Sequence, residues 1–194
     1  NYGARVEINV MEIANYFISS FRIDGNEISF DSNNWSNLVR NTVTREYISG
    51  IYTLTVTKDT SVYLEYSLNV YTVTLDANSI NGTTTISAED PISGTARPDV
   101  RTAKYGENLN IKMVANEGYH IKSLYINNVK VNDLNLPSVI DNNNVDASYA
   151  YRGINSNIVV RVVYEINRYS FTYEIVNISE NFALYDTELA TLTT

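Results

Sequence analysis

The chain repeats itself, and a repeat constrains a fold more than any single motif, because whatever one copy forms the other must form too. Residues from Asn1 to Asp31 lie over those from Lys104 to Leu134 without a gap, at an offset of 103. Tyr2 falls on Tyr105, Gly3 on Gly106, Ile8 on Ile111 and Tyr16 on Tyr119; Ile18, Ser20 and Ile23 meet Ile121, Ser123 and Ile126. Apolar character matches between these identities, as in Val6/Leu109, Val10/Met113, Phe21/Leu124 and Ile28/Val131. A second match starts at Val62 and Val160, at an offset of 98, and pairs Tyr66 with Tyr164, Asn69 with Asn167, Tyr71 with Tyr169 and Thr74 with Thr172. The five-residue change falls in one place, where 22 residues between Ile28 and Ile51 stand against 17 between Val131 and Tyr149. One loop of variable length inside a constant period is how repeat proteins absorb insertions. The sequence therefore divides into a partial unit, 1–68, lacking its first strands, a complete unit, 69–166, and the opening strands of a further unit, 167–194.

Within each unit the period is two. Tyr71-Thr-Val-Thr-Leu-Asp76 alternates apolar and polar side chains, as do Tyr169-Ser-Phe-Thr-Tyr-Glu174, Val62/Leu64/Tyr66, Leu109/Ile111/Met113 and Val6/Ile8/Val10. Such alternation predicts strands with one wet face. Asn81-Gly82, Glu117-Gly118 and Asn127-Asn128 mark turns, and Asp24-Gly25-Asn26 predicts a tight hairpin. Short helices are expected only at Ile13–Ser19 and Asn33–Arg40. The fold class expected is mainly β, a string of small antiparallel-sheet units with an elongated form.

Composition then removes most chemistry. Fourteen Lys and Arg stand against 22 Asp and Glu, a net charge of −8 and a pI near 4.6, so binding to phosphate backbones is not expected. No cysteine is present, which removes disulfides, thiolate catalysis and cysteine metal sites. No apolar run approaches the ~20 residues of a membrane span. No leader is recognisable, and a chain opening at Asn1 reads as a processed or truncated piece of something longer. His120 is the sole imidazole, and its counterpart is Phe17, which makes it a packing position rather than a catalytic or metal-binding one. The acidic residues form no recurring pair, so no enzyme is expected.

Other candidates carry less. Asp141-Asn-Asn-Asn-Val-Asp146 invites a calcium reading, but Val145 occupies the fifth position and the EF-hand spacing fails, so no cofactor is expected. A lysine–asparagine crosslink shared by the units is not expected, since Lys112, Lys122, Lys130 and Lys58 align with Asn9, Ser19, Glu27 and Ser156. Trp35 either anchors the core or is a candidate ligand contact, stacking on sugar. The recurring Tyr2/Tyr105, Tyr16/Tyr119, Tyr66/Tyr164 and Tyr71/Tyr169 are expected in the core, whereas Tyr63, Tyr125 and Tyr151 could face a ligand. The sequons at Asn34, Asn81 and Asn177 carry little weight in so asparagine-rich a chain.

The order of pieces in the complete unit is a Tyr-Thr-Val-Thr strand, a glycine turn, Tyr105-Gly106-Glu107, Asn116-Glu117-Gly118-Tyr119-His120-Ile121, the hairpin Ile126–Val131 and a closing strand at Val159–Glu165. This order resembles the divergent internalin-type B-repeats (the Listeria–Bacteroides repeat group) of bacterial surface proteins. Where that pattern has an aromatic-Gly-Trp cluster, Ser123-Leu124-Tyr125 stands here. The resemblance implies a small β-grasp-like or related fold and a role as stalk or spacer in a secreted protein. The function expected is a non-enzymatic structural segment of an extracellular bacterial stalk, filament or fibre, with copies of itself or further repeats as partners. The rival expectation is an adhesin-type module recognising glycan or host protein through loops 29–50 and 132–148. The two chain ends align as one unit split at the stretch equivalent to Arg97–Ala103. Tyr169, Phe171 and Tyr173 are thus expected to form a strand that completes the first unit of a neighbouring chain, head to tail.

Overall fold

A computed structural model describes residues 2–132, 134, 143–173 and 190–192. The chain is mainly β, built from small sheets. It divides into two compact units, one made of Asn1–Thr74, Ile86–Asn110 and Ala150–Val159, the other of Leu75–Thr85, Ile111–Tyr149 and Val160–Thr194. The first 68 residues hold β1 (Ala4–Val10), β2 (Tyr16–Ile23), β3 (Asn26–Glu27), β4 (Trp35–Arg40), β5 (Tyr47–Val56) and β6 (Val62–Leu68). These form two three-stranded sheets, ordered β1-β5-β4 and β3-β2-β6. Apolar side chains from both sheets share one core: Val10 from β1, Ile18 and Phe21 from β2, Trp35 from β4 and Tyr52 from β5. Phe21 lies 4.9 Å edge-on from Trp35 and 5.0 Å from Tyr52, the tilted geometry that aromatic quadrupoles favour.

Next come β7 (Val70–Leu75), β8 (Gly82–Glu89), β9 (Ala96–Arg97), β10 (Thr102–Lys104), β11 (Asn108–Ala115), β12 (Tyr119–Ile126), β13 (Val129–Lys130), β14 (Asp146–Tyr151) and β15 (Ile158–Ile166). They are ordered β10-β7-β15-β12-β13 in a five-stranded sheet and β14-β11-β8-β9 in a four-stranded one. Leu109, Ile111 and Met113 on β11 and Val160 and Val162 on β15 are wholly buried, with polar or exposed residues alternating between them. Last, β16 (Tyr169–Phe171) pairs antiparallel with β17 (Ala190–Leu192).

The ladder of β2 with β6 and the ladder of β12 with β15 have one register. Tyr16 faces Leu68 as Tyr119 faces Ile166; Ile23 faces Val62 as Ile126 faces Val160. Both ladders shift at the same step, between Ile18 and Ser20 and between Ile121 and Ser123, where Ser19 and Lys122 bulge out. Both hairpins that follow turn through two residues of positive φ, Asp24 (49°) and Gly25 (78°) in one, Asn127 (49°) and Asn128 (66°) in the other. A two-residue type I′ turn requires that backbone, and Asp, Asn and Gly tolerate it best. Turn bonds agree as well: the Gly3 N–H reaches the Val56 carbonyl and that of Gly106 reaches Ile154.

Two expected helices are strands. Ile13–Ser19 contains Asn15 at φ 68° and then enters β2, where the bulge at Ser19 breaks the alternation that marks a strand. Asn33–Arg40 is β4, where Trp35 pairs with Tyr52 across the sheet. Expected core positions also fail at Tyr2 (86% exposed), Tyr16, Tyr169 (63%), Val6 and Val62. Val6 and Val62 lie on β1 and β6, which are edge strands, whereas their counterparts Leu109 and Val160 lie on strands flanked on both sides.

Gly82 opens β8 against a ring. A Cβ there would stand 2.3 Å from Cε1 and Cζ of Tyr164. That phenol is held by Thr84 Oγ1 at 2.9 Å and donates to the Thr83 carbonyl at 3.1 Å, so the ring is not able to retreat. Gly82→Ala is expected to cost about 1–3 kcal/mol as overpacking, read as a lower midpoint in urea.

Candidate functional site: an open sheet edge and a matching strand

Among the described residues no group of three or more His, Asp or Glu side chains could hold a metal ion. The sequence candidates are placed as follows. Trp35 keeps 8% of its surface exposed, enclosed by Phe21, Phe30 (5.3 Å) and Tyr52 (5.1 Å), so it anchors the core and offers no face to a sugar. The segment 29–50 is no simple loop: it carries β4 and the start of β5, part of the first sheet. Most of 132–148, including Asp141 of the calcium candidate, lies outside the described residues; Asn144 is wholly buried and Asp146 opens β14. Lys58 pairs with Asp24 at 3.0 Å and Lys122 with Glu165 at 3.1 Å. Tyr63 lies under Arg22 and Tyr125 under Arg161, the two members of each pair having exchanged strands. Tyr151 ends β14, half-buried.

His120 is more than a packing residue. It is 3% exposed, and its Nδ1 donates to Asn167 Oδ1 at 3.0 Å. The counterparts are Phe17 and Asn69, and since Phe17 offers no donor, Asn69 Oδ1 is buried without a partner. A bond that spans 47 residues leaves no local mark in the sequence. Its only signal was the joint presence of His with one asparagine and Phe with the other.

Among the described strands, the outer edge of β6 has no neighbour: its counterpart β15 has β7 on one side and β12 on the other, while β6 has β2 alone. Val62 is 46% exposed, and Leu64 and Tyr66 are half-buried, where Val160 and Val162 are wholly buried. Beside the start of β6 lies a cleft of about 280 Å3 lined by Tyr2, Val56, Thr57, Lys58 and Asp59. Asp24 braces this corner: its Oδ1 accepts the Ser61 N–H at 2.8 Å and its Oδ2 meets Lys58. The Ser61 amide first, then Lys58, holds the Asp24 carboxyl below the usual carboxylate range.

The described structure also has apolar side chains that lack cover on a short strand. Tyr169 and Phe171 on β16 are 63% and 56% exposed, although their counterparts Tyr71 and Val73 on β7 are 5% and 3% exposed. Tyr173 follows β16, half-buried, its ring stacked 6.1 Å from Phe171. Tyr169 and Phe171 pair with β17 in a two-stranded sheet. No protein-family model matches the chain, and neither does any curated protein or solved structure.

Two outcomes are expected. Phe17→His gives Asn69 Oδ1 a donor and raises stability by about 0.5–1.5 kcal/mol, while His120→Phe strands Asn167 and costs about 1–3 kcal/mol; paired urea melts read both. Because Asp24 is depressed when folded, its contribution is present above the ordinary carboxylate range and is lost as pH falls through the folded value. Asp24→Asn should therefore flatten the acid limb of the stability profile, below the ordinary carboxylate range.

Proposed function

We propose that this chain is a non-enzymatic structural segment, made of successive copies of one β unit, from an extracellular bacterial surface stalk, filament or fibre. The observation that carries this reading is the shared register of the β2–β6 and β12–β15 ladders, with the bulge and the type I′ turn at matching positions. A frame held constant while its surface changes is what a spacer needs, since each copy contributes length and nearest-neighbour packing rather than chemistry. The resemblance to internalin-type B-repeats points the same way, and so does the acidic, cysteine-free composition. The adhesin alternative is less favoured, because Trp35 is buried in the core and 29–50 is built into a sheet.

Proteins carrying one, two and three further copies of 69–166 after the chain should show a maximum scattering dimension that grows in equal steps; a dimension that stays constant overturns the stalk. On a glycan array the full chain should stay at background, and Trp35 emission should not move on adding sugars. A saturable, sugar-specific shift would instead establish the adhesin reading.

A further inference from the structure

Resting on the reading of two copies of one unit, the geometry points to β6 as the acceptor of a donated strand, and we propose that the donor is Tyr169–Tyr173 of a second copy of this chain. Residues 69–166 show what the position holds when filled. There β7 lies between β10 and β15. The Thr72 N–H donates to Asn157 Oδ1 at 3.0 Å, and the Asp76 N–H donates to the Val160 carbonyl at 2.8 Å. Both bonds advance together along the two strands, so β7 runs parallel to β15.

Carried by the 98-residue offset, Asn157 becomes Asp59 and Val160 becomes Val62, while Thr72 becomes Ser170. Asp59 keeps an oxygen acceptor where Asn157 has one, so the Ser170 N–H of the donor finds the same kind of partner. Asp59 also lines the cleft beside β6, which sets this opening at the place where Asn157 receives β7. Tyr169 and Phe171 hold the positions of Tyr71 and Val73, which are buried. The donor therefore brings apolar side chains that lack cover, and the acceptor offers exposed Val62 beside half-buried Leu64 and Tyr66.

The edge itself is lightly guarded, with Glu65 as its one charged residue. Proteins blunt exposed edges with lysine, proline, bulges or brevity. β6 runs seven residues, Val-Tyr-Leu-Glu-Tyr-Ser-Leu, with neither lysine nor proline, whereas β9 and β13, also at sheet edges, are two residues long. Among the described strands β16 pairs with β17 alone, which leaves its other edge without a neighbour there. Donor and acceptor are different surfaces of one molecule, so the contact is heterologous and propagates head to tail.

The chain has no cysteine, so single replacements give a clean crosslink. Full-length Asp59→Cys and Ser170→Cys proteins of different mass, mixed under mild oxidation, should give the mixed disulfide dimer in at least tenfold excess over either like pair. Excess synthetic peptide of residues 167–175 should suppress it. Statistical dimers, or a double variant that closes its disulfide within one monomer, would overturn the proposal. In case Asp59→Cys fails to fold, sedimentation of the unaltered chain supplies a second reading. Concentration-dependent association, weakened at least tenfold by Phe171→Glu, supports donation, and a monomer at about 100 µM rejects it. If added copies lengthen the particle in equal steps and the crosslink still fails, the donated strand falls while the spacer stands.

Discussion

The bulged antiparallel ladder, β2 with β6 and β12 with β15, is the constraint on which the remaining structure depends. A strand alternates faces with a period of two, and one inserted residue shifts that period. In β12, Ile121 is buried before the bulge and Leu124 and Ile126 after it, so the core-facing set moves from odd to even numbers while Lys122 turns outward. The same shift takes Ile18 to Phe21 and Ile23 around Ser19. The bulge thus decides which side chains reach the core, and it sets the strand end from which the two-residue turn starts. Phe21 arrives against Trp35 and Tyr52 only because of it.

That constraint also explains what the sequence discloses and what it hides. Regular alternation made β7, β11 and β15 legible, and Asp24-Gly25 announced its turn because few residues adopt positive φ cheaply. The bulged strand β2 hides its period, since the step of three from Ile18 to Phe21 breaks the alternation that marks a strand. β4 was obscured by its Asn and Ser residues and by Asn37 at φ 51°, which breaks alternation between Ser36 and Val39. Exposure at Val6, Val62 and Tyr169 was hidden for another reason: it depends on which strand lies alongside, and no residue's own identity encodes that.

Between the two frames the side chains diverge in pairs rather than singly. Arg22 stacks over Tyr63 at 5.4 Å, and in the second unit Tyr125 lies under Arg161 at 4.0 Å, the cation and the ring having changed strands while the contact persists. These residues face one another across their ladders, Arg22 opposite Tyr63 and Tyr125 opposite Arg161, so either order satisfies the geometry. The His120–Asn167 and Phe17–Asn69 pairs differ in the opposite sense, one bonded and one leaving a buried carbonyl oxygen unanswered. A ring of similar shape fills either site, but only imidazole carries an N–H. The frame therefore tolerates loss of a hydrogen bond more readily than loss of register.

Edges are where a frame of this kind meets its neighbours. A sheet interior satisfies its backbone on both sides, but an outermost strand keeps one row of donors and acceptors for water or for another chain. Arg40 and two register shifts break up β4, and β13 and β9 are too short to template a partner. β1 carries Arg5 and Glu7 exposed along its length. β6 has Glu65 alone, with apolar residues on both sides of it. In a repeat array each copy covers the next, so sequence pressure to blunt an edge acts on terminal copies and not on internal ones. Under the proposed donation, an unblunted β6 is the edge of a unit that keeps a strand beside it.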